Sequence, residues 1–214
     1  SKAYPHESLL KLPINDGGIS YARSFCKKHS TEAGDKRHWQ FDDDIQKLYT
    51  YKMGQKIATA ADDVLYNCES FVDRYNNIAI AGLMNTAFGF NLTKPFKKNQ
   101  CAYGCVLVLN DTDLSWRMRT TGEDTDYSLQ ALSQGWCTIV FQVYQFLTPS
   151  TGTNKGGNSD AYIEDKRMER IRELQRFWGK QLIRIHNRYG RPQQDLSRVW
   201  RKFDTPLVKV ADAC

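Results

Sequence analysis

The sequence predicts one α/β domain over residues 1–214, closed by a basic, helical C-terminal part. Three observations carry that prediction. Short apolar runs rich in β-branched residues (78–84, 105–109, 138–143) alternate with stretches of helical periodicity. Three consecutive carboxylates, Asp42, Asp43 and Asp44, follow a short run holding Trp39 and Phe41, the pattern of a buried strand that ends at a polar mouth. Residues 1–150 hold 16 Lys+Arg against 16 Asp+Glu, and residues 151–214 hold 14 against 8, so the +6 net charge lies in the last third.

Residues 1–16 contain prolines and show no period. Gly17-Gly18 opens a helix to about His29, with Ile19, Ala22, Cys26 and His29 at spacings of three and four. Gly34-Asp35 breaks it before the short strand into Asp42–Asp44. The spacing of Ile57, Ala61, Val64, Cys68, Phe71 and Tyr75 predicts a helix from Gly54 to Tyr75. Ile78–Met84 reads as a strand, Phe88–Lys98 as a loop carrying Lys94, Lys97 and Lys98, and Cys105–Leu109 as a strand ending in the polar turn 110–113. Leu129 and Leu132 mark a short helix closed by Gly135, and Thr138–Val143 another strand. Thr148–Ser159, rich in Gly, Thr, Asn and Ser, reads as a mobile loop. From Tyr162 a long amphipathic helix aligns Ile171, Leu174, Trp178 and Leu182. The body is thus 1–150, and 151–214 adds the Gly-rich loop and the basic part.

Composition narrows the function. A chain 41% hydrophobic and 25% charged folds as a globular protein. Its longest apolar run is too short for a bilayer, and no signal peptide is visible, so an intracellular, cytoplasmic protein is expected. Six cysteines without a C-x-x-C pair or zinc spacing read as reduced thiols. A basic end beside a neutral body suggests a polyanionic partner, nucleic acid first.

The acidic triplet is the centre of the chemistry. Hard carboxylate oxygens at the end of a strand suit Mg²⁺ or Mn²⁺ bridging to substrate phosphates, although an acidic surface turn has the same composition. Glu123-Asp124-Thr125-Asp126 forms a second cluster, for which helix capping is the alternative, with Asp126 nearest the helix onset. A haloacid-dehalogenase-type phosphatase is excluded, because Gln46 stands where that motif requires Thr or Val.

These motifs resemble known signatures. Gly18-Ile19-Ser20-Tyr21-Ala22-Arg23-Ser24, followed by Asp42-Asp43-Asp44, is similar to the first signature of GT-A glycosyltransferases. Gly122-Glu123-Asp124-Thr125-Asp126, with Leu129-Gln130 and Gly135-Trp136, is similar to their second. With Asn154-Lys155-Gly156-Gly157 and Arg188-Tyr189-Gly190-Arg191, the set more closely resembles the TET-associated glycosyltransferases, over about residues 12–207. That family includes phage enzymes and the kinetoplastid base J glucosyltransferase. The resemblance implies a GT-A-like fold, in which a Rossmann-like mixed sheet is flanked by helices. It also implies a nucleotide-sugar donor such as UDP-glucose, and an acceptor hydroxyl on hydroxymethylated pyrimidines in DNA. GT-A folds begin with a strand and helix for the nucleotide base, and no such strand is visible before Gly17.

The resemblance also distributes roles. Asp42 and Asp44 would bind the metal, with His186 as third ligand. Arg23, Asp42, Asp43, Gly156 and Gly157 would contact the nucleotide sugar. Asp124 would be the base of an inverting displacement, with Glu123 orienting acceptor or sugar. Read from the residues themselves, Arg184, Arg188, Arg191, Arg198, Arg201 and Lys202, interleaved with Tyr189, Trp200 and Phe203, suit phosphate contacts and base stacking, with core packing expected to take at least one of those aromatics. The alternatives are a GT-A transferase with a protein, glycan or small-molecule acceptor, and an inactive DNA-binding module of the same fold.

Overall fold

The computed structural model describes residues 10–90, 92–119, 121–149, 164–188 and 190–211. Helix α1, Gly18–Glu32, starts at two glycines, the second with φ of +76°, and runs one turn past the expected end. Strand β1, Arg37–Phe41, leads into the acidic triplet as expected.

The helix expected from Gly54 is not formed there. Lys47–Lys52 and Gln55–Ala58 make a hairpin, β2 and β3, and helix α2 covers only Ala61–Val72. The reason lies at Met53-Gly54, whose φ values of +50° and +78° are those of a two-residue hairpin turn. Ile57 therefore belongs to a strand, and its helical spacing to Ala61 is accidental. Strand β4 is Ile78–Asn85. The expected loop after it holds a one-turn 3-10 helix, Thr86–Phe88, and strand β5, Phe96–Lys98. Strand β6 is Cys105–Leu109, helix α3 Glu123–Ser133, and strand β7 runs further than expected, Cys137–Leu147.

Among the described residues, one seven-stranded mixed sheet has the order β1-β6-β4-β7-β2-β3, with β5 also paired to β7. β4 runs parallel to β7 and antiparallel to β6, which is antiparallel to β1. The C-terminal ends of β1, β4 and β7 therefore share one edge. On one face α2 packs Val64, Cys68 and Val72 against Leu107, Ile139 and Phe146. On the other α3 packs Tyr127 and Ala131 against Ile80, Val106 and Val108. Each Leu or Ile so buried contributes about 1.5–3 kcal/mol.

Helix α4, Glu164–Trp178, covers the outer side of α3 through Ile171 and Leu174, which meet Leu129. Gly179, at φ +80°, ends α4, so Leu182 lies beyond the helix, although it packs in the same cluster. The basic part expected to be helical is mostly not. Arg184–Arg188 and Arg191–Asp195 form a second hairpin, β8 and β9, and only Ser197–Lys202 is helical, α5. The chain then returns to the body, where Asn76 N–H donates to Val208 O at 2.8 Å and Val210 N–H to Arg74 O at 2.9 Å. Cys26, Cys68, Cys101, Cys105 and Cys137 are free thiols, and no helix of the described residues is long and apolar enough to cross a membrane.

Candidate active site

The alternation of β1 sets the site. Trp39 packs on the α2 side, so His38, Gln40 and Asp42 turn the other way, toward α1. One more ladder bond, from Asp42 N–H to Gly104 O at 2.8 Å, fixes the first acid of the triplet at the sheet edge. Helix α1 supplies the counter-charge. Arg23 is only 5% exposed and donates to Gln40 Oε1 at 3.2 Å and to Asp42 Oδ1 at 2.9 Å. Its Nε forms an ion pair with Glu123 Oε1 at 3.5 Å, and its guanidinium lies 5.1 Å from the Trp116 ring centre. Behind it Gln40 donates to Arg23 O, and His38 bridges Gln40 at 2.8 Å and Asn110 at 2.6 Å. Burial pushes the His38 pKa down, which favours the neutral ring that such a relay requires.

The second acidic motif opens α3. Gly122 precedes the helix at φ +100°, and no side chain caps it. The expectation that Asp126 caps α3 is thus replaced. Asp126 is a fully buried first-turn residue, paired with Arg117 at 2.8 and 2.9 Å, with Trp178 Nε1 at 2.7 Å and with Gln130 Nε2 at 2.7 Å. Glu123 is buried, and its Oε2 accepts from Gly122 N–H at 2.9 Å. Asp124 is half-buried beside it.

One buried cation serves several acids, so the balance is negative. Asp42 is pushed up to about 6, chiefly by burial, with Arg23 opposing and Glu123, Asp44 and Asp43 adding to the rise. Asp124 is pushed up to about 7, again first by burial, then by Glu123, with Arg23 opposing and Asp42 adding. A carboxyl in that range exchanges a proton at neutral pH, as a general base must. The hard, charge-rich oxygens of Asp42 and Asp44 also suit a divalent cation. Among the described residues no three His, Cys, Asp or Glu side chains form a ready ligand set, so a cation there would draw further ligands from substrate or water.

The structure therefore brings together Arg23, Asp42, Glu123 and Asp124, with Asp43 and Asp44 next to them on the turn. It does not bring His186 into that group. His186 is exposed on β8, where it acts electrostatically on Asp195. Arg184, Arg188 and Arg191 are exposed on the β8–β9 hairpin, and Arg198, Arg201 and Lys202 on α5. Trp200 and Phe203 pack against the α3–α4 cluster, the core packing expected of at least one of these aromatics, which leaves neither placed as a base-stacking face. Asn154, Lys155, Gly156, Gly157 and Tyr189 lie outside the described residues. Sequence reading missed Gln40 and His38, whose signal was the alternation with Trp39 and Phe41. It also missed Arg117 and Trp178, whose pairing with Asp126 leaves no local signal.

Comparison with known proteins gives one family match. The family model described as TET-Associated Glycosyltransferase matches residues 1–157. No curated protein and no solved structure matches the chain.

Proposed function

The chain belongs to the TET-associated glycosyltransferases, and from that premise we propose that it transfers a sugar, with inversion, from a nucleotide-sugar donor to the hydroxyl of a hydroxymethylated pyrimidine in DNA. The family implies the nucleotide-sugar donor. The observation that supports a catalytic centre is Arg23, which gathers Asp42 of the first acidic motif and Glu123 of the second around one buried guanidinium. In this reading Asp124 accepts the proton of the acceptor hydroxyl while that oxygen bonds to the anomeric carbon. The bond from that carbon to the diphosphate breaks on the opposite face, and the diphosphate leaves with the electron pair. Glu123 orients the incoming hydroxyl or the sugar.

Arg23 is taken up by Gln40, Asp42 and Glu123, so its part is to hold the acids in place. Asp42 and Asp44 would hold Mn²⁺ or Mg²⁺, which supplies Lewis-acid stabilisation of the departing diphosphate. An open depression of about 470 Å³ at the start of α1, lined by Leu12, Ile14, Asn15, Asp16 and Tyr21 among others, offers polar groups and one aromatic ring to a nucleoside. The exposed arginines of β8, β9 and α5 would contact DNA phosphates. The test is release of UDP from UDP-glucose with Mn²⁺, on hydroxymethylcytosine DNA and on the same DNA unmodified. The reading expects release on the first only; equal release on both, or none on either, overturns the acceptor assignment.

A further inference from the structure

The net charge of residues 1–150 is zero, yet the fold gathers some of its lysines. Residues 45–60 and 86–100 each hold three lysines and no Asp or Glu. Both segments reach the same edge of β7. β2 pairs with residues 144–147 and β5 with residues 139–141, and between them Pro95 O accepts from the N–H groups of Gln142 and Val143.

The side chains also share a face. Phe96 packs on Phe71 of α2, so Lys97 points to the opposite side of the sheet. Leu48 packs in the α2 cluster, so Lys47 and Tyr49 likewise turn away from α2, and Lys56 sits opposite Tyr51 in register. The segment after β4 lies on this second face, since Leu92 packs in the cluster that holds Tyr127 and Ala131 of α3. Gly89 lies against the Gln145 amide, opposite Tyr49 in register, and Phe90 lies beside Lys56, so Phe88 and Phe90, at 68% and 65% exposure, flank this face. Lys56 is anchored to Thr86 O at 2.8 Å and lies 4.6 Å from the Phe90 ring centre, and Lys47 lies 5.8 Å from that of Tyr49. Among the described residues, Lys47, Lys56 and Lys97 make no ion pair. This face lies at the end of β4, the edge that carries Asp42, and on the side of the sheet that carries α3.

We propose that Phe88 and Phe90, flanked by Lys47, Lys56 and Lys97, form a platform that grips an unpaired stretch of polynucleotide beside the acidic cleft. Exposed aromatic faces accept stacked bases of any sequence, and lysines without a carboxylate partner at their margins neutralise the strand's phosphates. The inference rests on the DNA-acceptor reading and moves the principal contact from the C-terminal hairpin to the sheet edge.

The test is fluorescence anisotropy with oligothymidylate across a salt series, with a duplex and a neutral maltooligosaccharide as comparison ligands. Phe88→Ala with Phe90→Ala should weaken oligothymidylate binding by about 5- to 100-fold, leaving the salt slope and duplex binding unchanged. Lys47→Ala with Lys97→Ala should reduce the log–log salt slope by about 1.4, near 0.7 per lost contact on a single strand. All four side chains are exposed or project from strand ends, and circular dichroism checks that the variants fold. If both pairs bind like wild type while Arg188→Ala with Arg191→Ala loses slope, the platform is refuted and the DNA reading stands. If wild type binds no polynucleotide, both fail. If the aromatic pair affects only maltooligosaccharide binding, the face recognises carbohydrate and the proposal is overturned.

Discussion

Asp124 carries the chemistry at the residue scale, and its environment makes two opposite pH dependences. If it acts as base it must be deprotonated, so turnover should rise through about pH 7. Stability should move the other way. Asp42 and Asp124 have folded pKa values near 6 and 7 against 3.8 in the unfolded chain, so the folded state holds protons that the unfolded chain has released. That contribution is fully present below about pH 4 and is lost as pH rises toward 7. Asp124→Asn should lower kcat by about 10²–10⁴ while donor KM holds, and it should flatten the fall in melting temperature between pH 4 and 7. A pH series of rates and melts checks both; an equal loss of donor affinity would assign Asp124 to structure. Asp44→Ala should abolish Mn²⁺-dependent donor binding with the fold intact, since removing one carboxylate relieves repulsion in the triplet. Full activity of that variant in EDTA would refute the metal assignment.

Helix α3 is the element on which the site depends, with nine of its eleven residues buried between the sheet and α4. Its first turn is held from both sides. Arg23 of α1 pairs with Glu123 at 3.5 Å, and Trp178 of α4 donates to Asp126. Arg117 pairs with Asp126 and lies 4.1 Å from the Phe177 ring centre. Asp126→Asn should therefore cost about 3 kcal/mol, the lower end for a broken buried pair because the Arg117 side chain keeps 37% exposure. Arg117→Met added to it should recover part of that loss, since no uncompensated charge remains. Urea midpoints of the two variants decide; strictly additive losses would refute the pairing. Gly122→Ala meets two obstacles, φ of +100° and an Arg170 Cδ 2.9 Å from the new Cβ, and should cost of order 1–3 kcal/mol.

For the whole molecule, the C-terminal part is sutured to the body as well as basic. Asn77 donates to Pro206 O and accepts from Val208 N–H, both at 2.8 Å, and Lys98 pairs with Asp204 at 2.9 Å. Asn77→Ala should loosen residues 204–211, read as faster amide exchange there, at a cost of about 1–3 kcal/mol. Exchange confined to other segments would refute the suture. Any phosphate contact that the exposed arginines on β8, β9 and α5 make adds about 0.9 to the duplex salt slope.

Local signals were enough for much of this. Strands β4 and β6 and helix α1 were legible because each is a run of one pattern bounded by glycines or polar residues. The two acidic motifs were legible because carboxylate clusters beside apolar runs are costly without a purpose. The β2–β3 hairpin was not, because Ile57 and Ala61 fit a helical spacing and the deciding signal was the left-handed backbone at Met53-Gly54. The 16-to-16 charge balance of residues 1–150 hid two lysine segments that only strand pairing to β7 brings together. Tertiary structure likewise decided that Arg23 joins the two acidic motifs, that Asp126 faces Arg117 and Trp178, and that His186 stands apart. The physical reason is common to all of them: a side chain's pairing energy depends on neighbours distant in sequence, and a local period reports only which way the chain faces its own core.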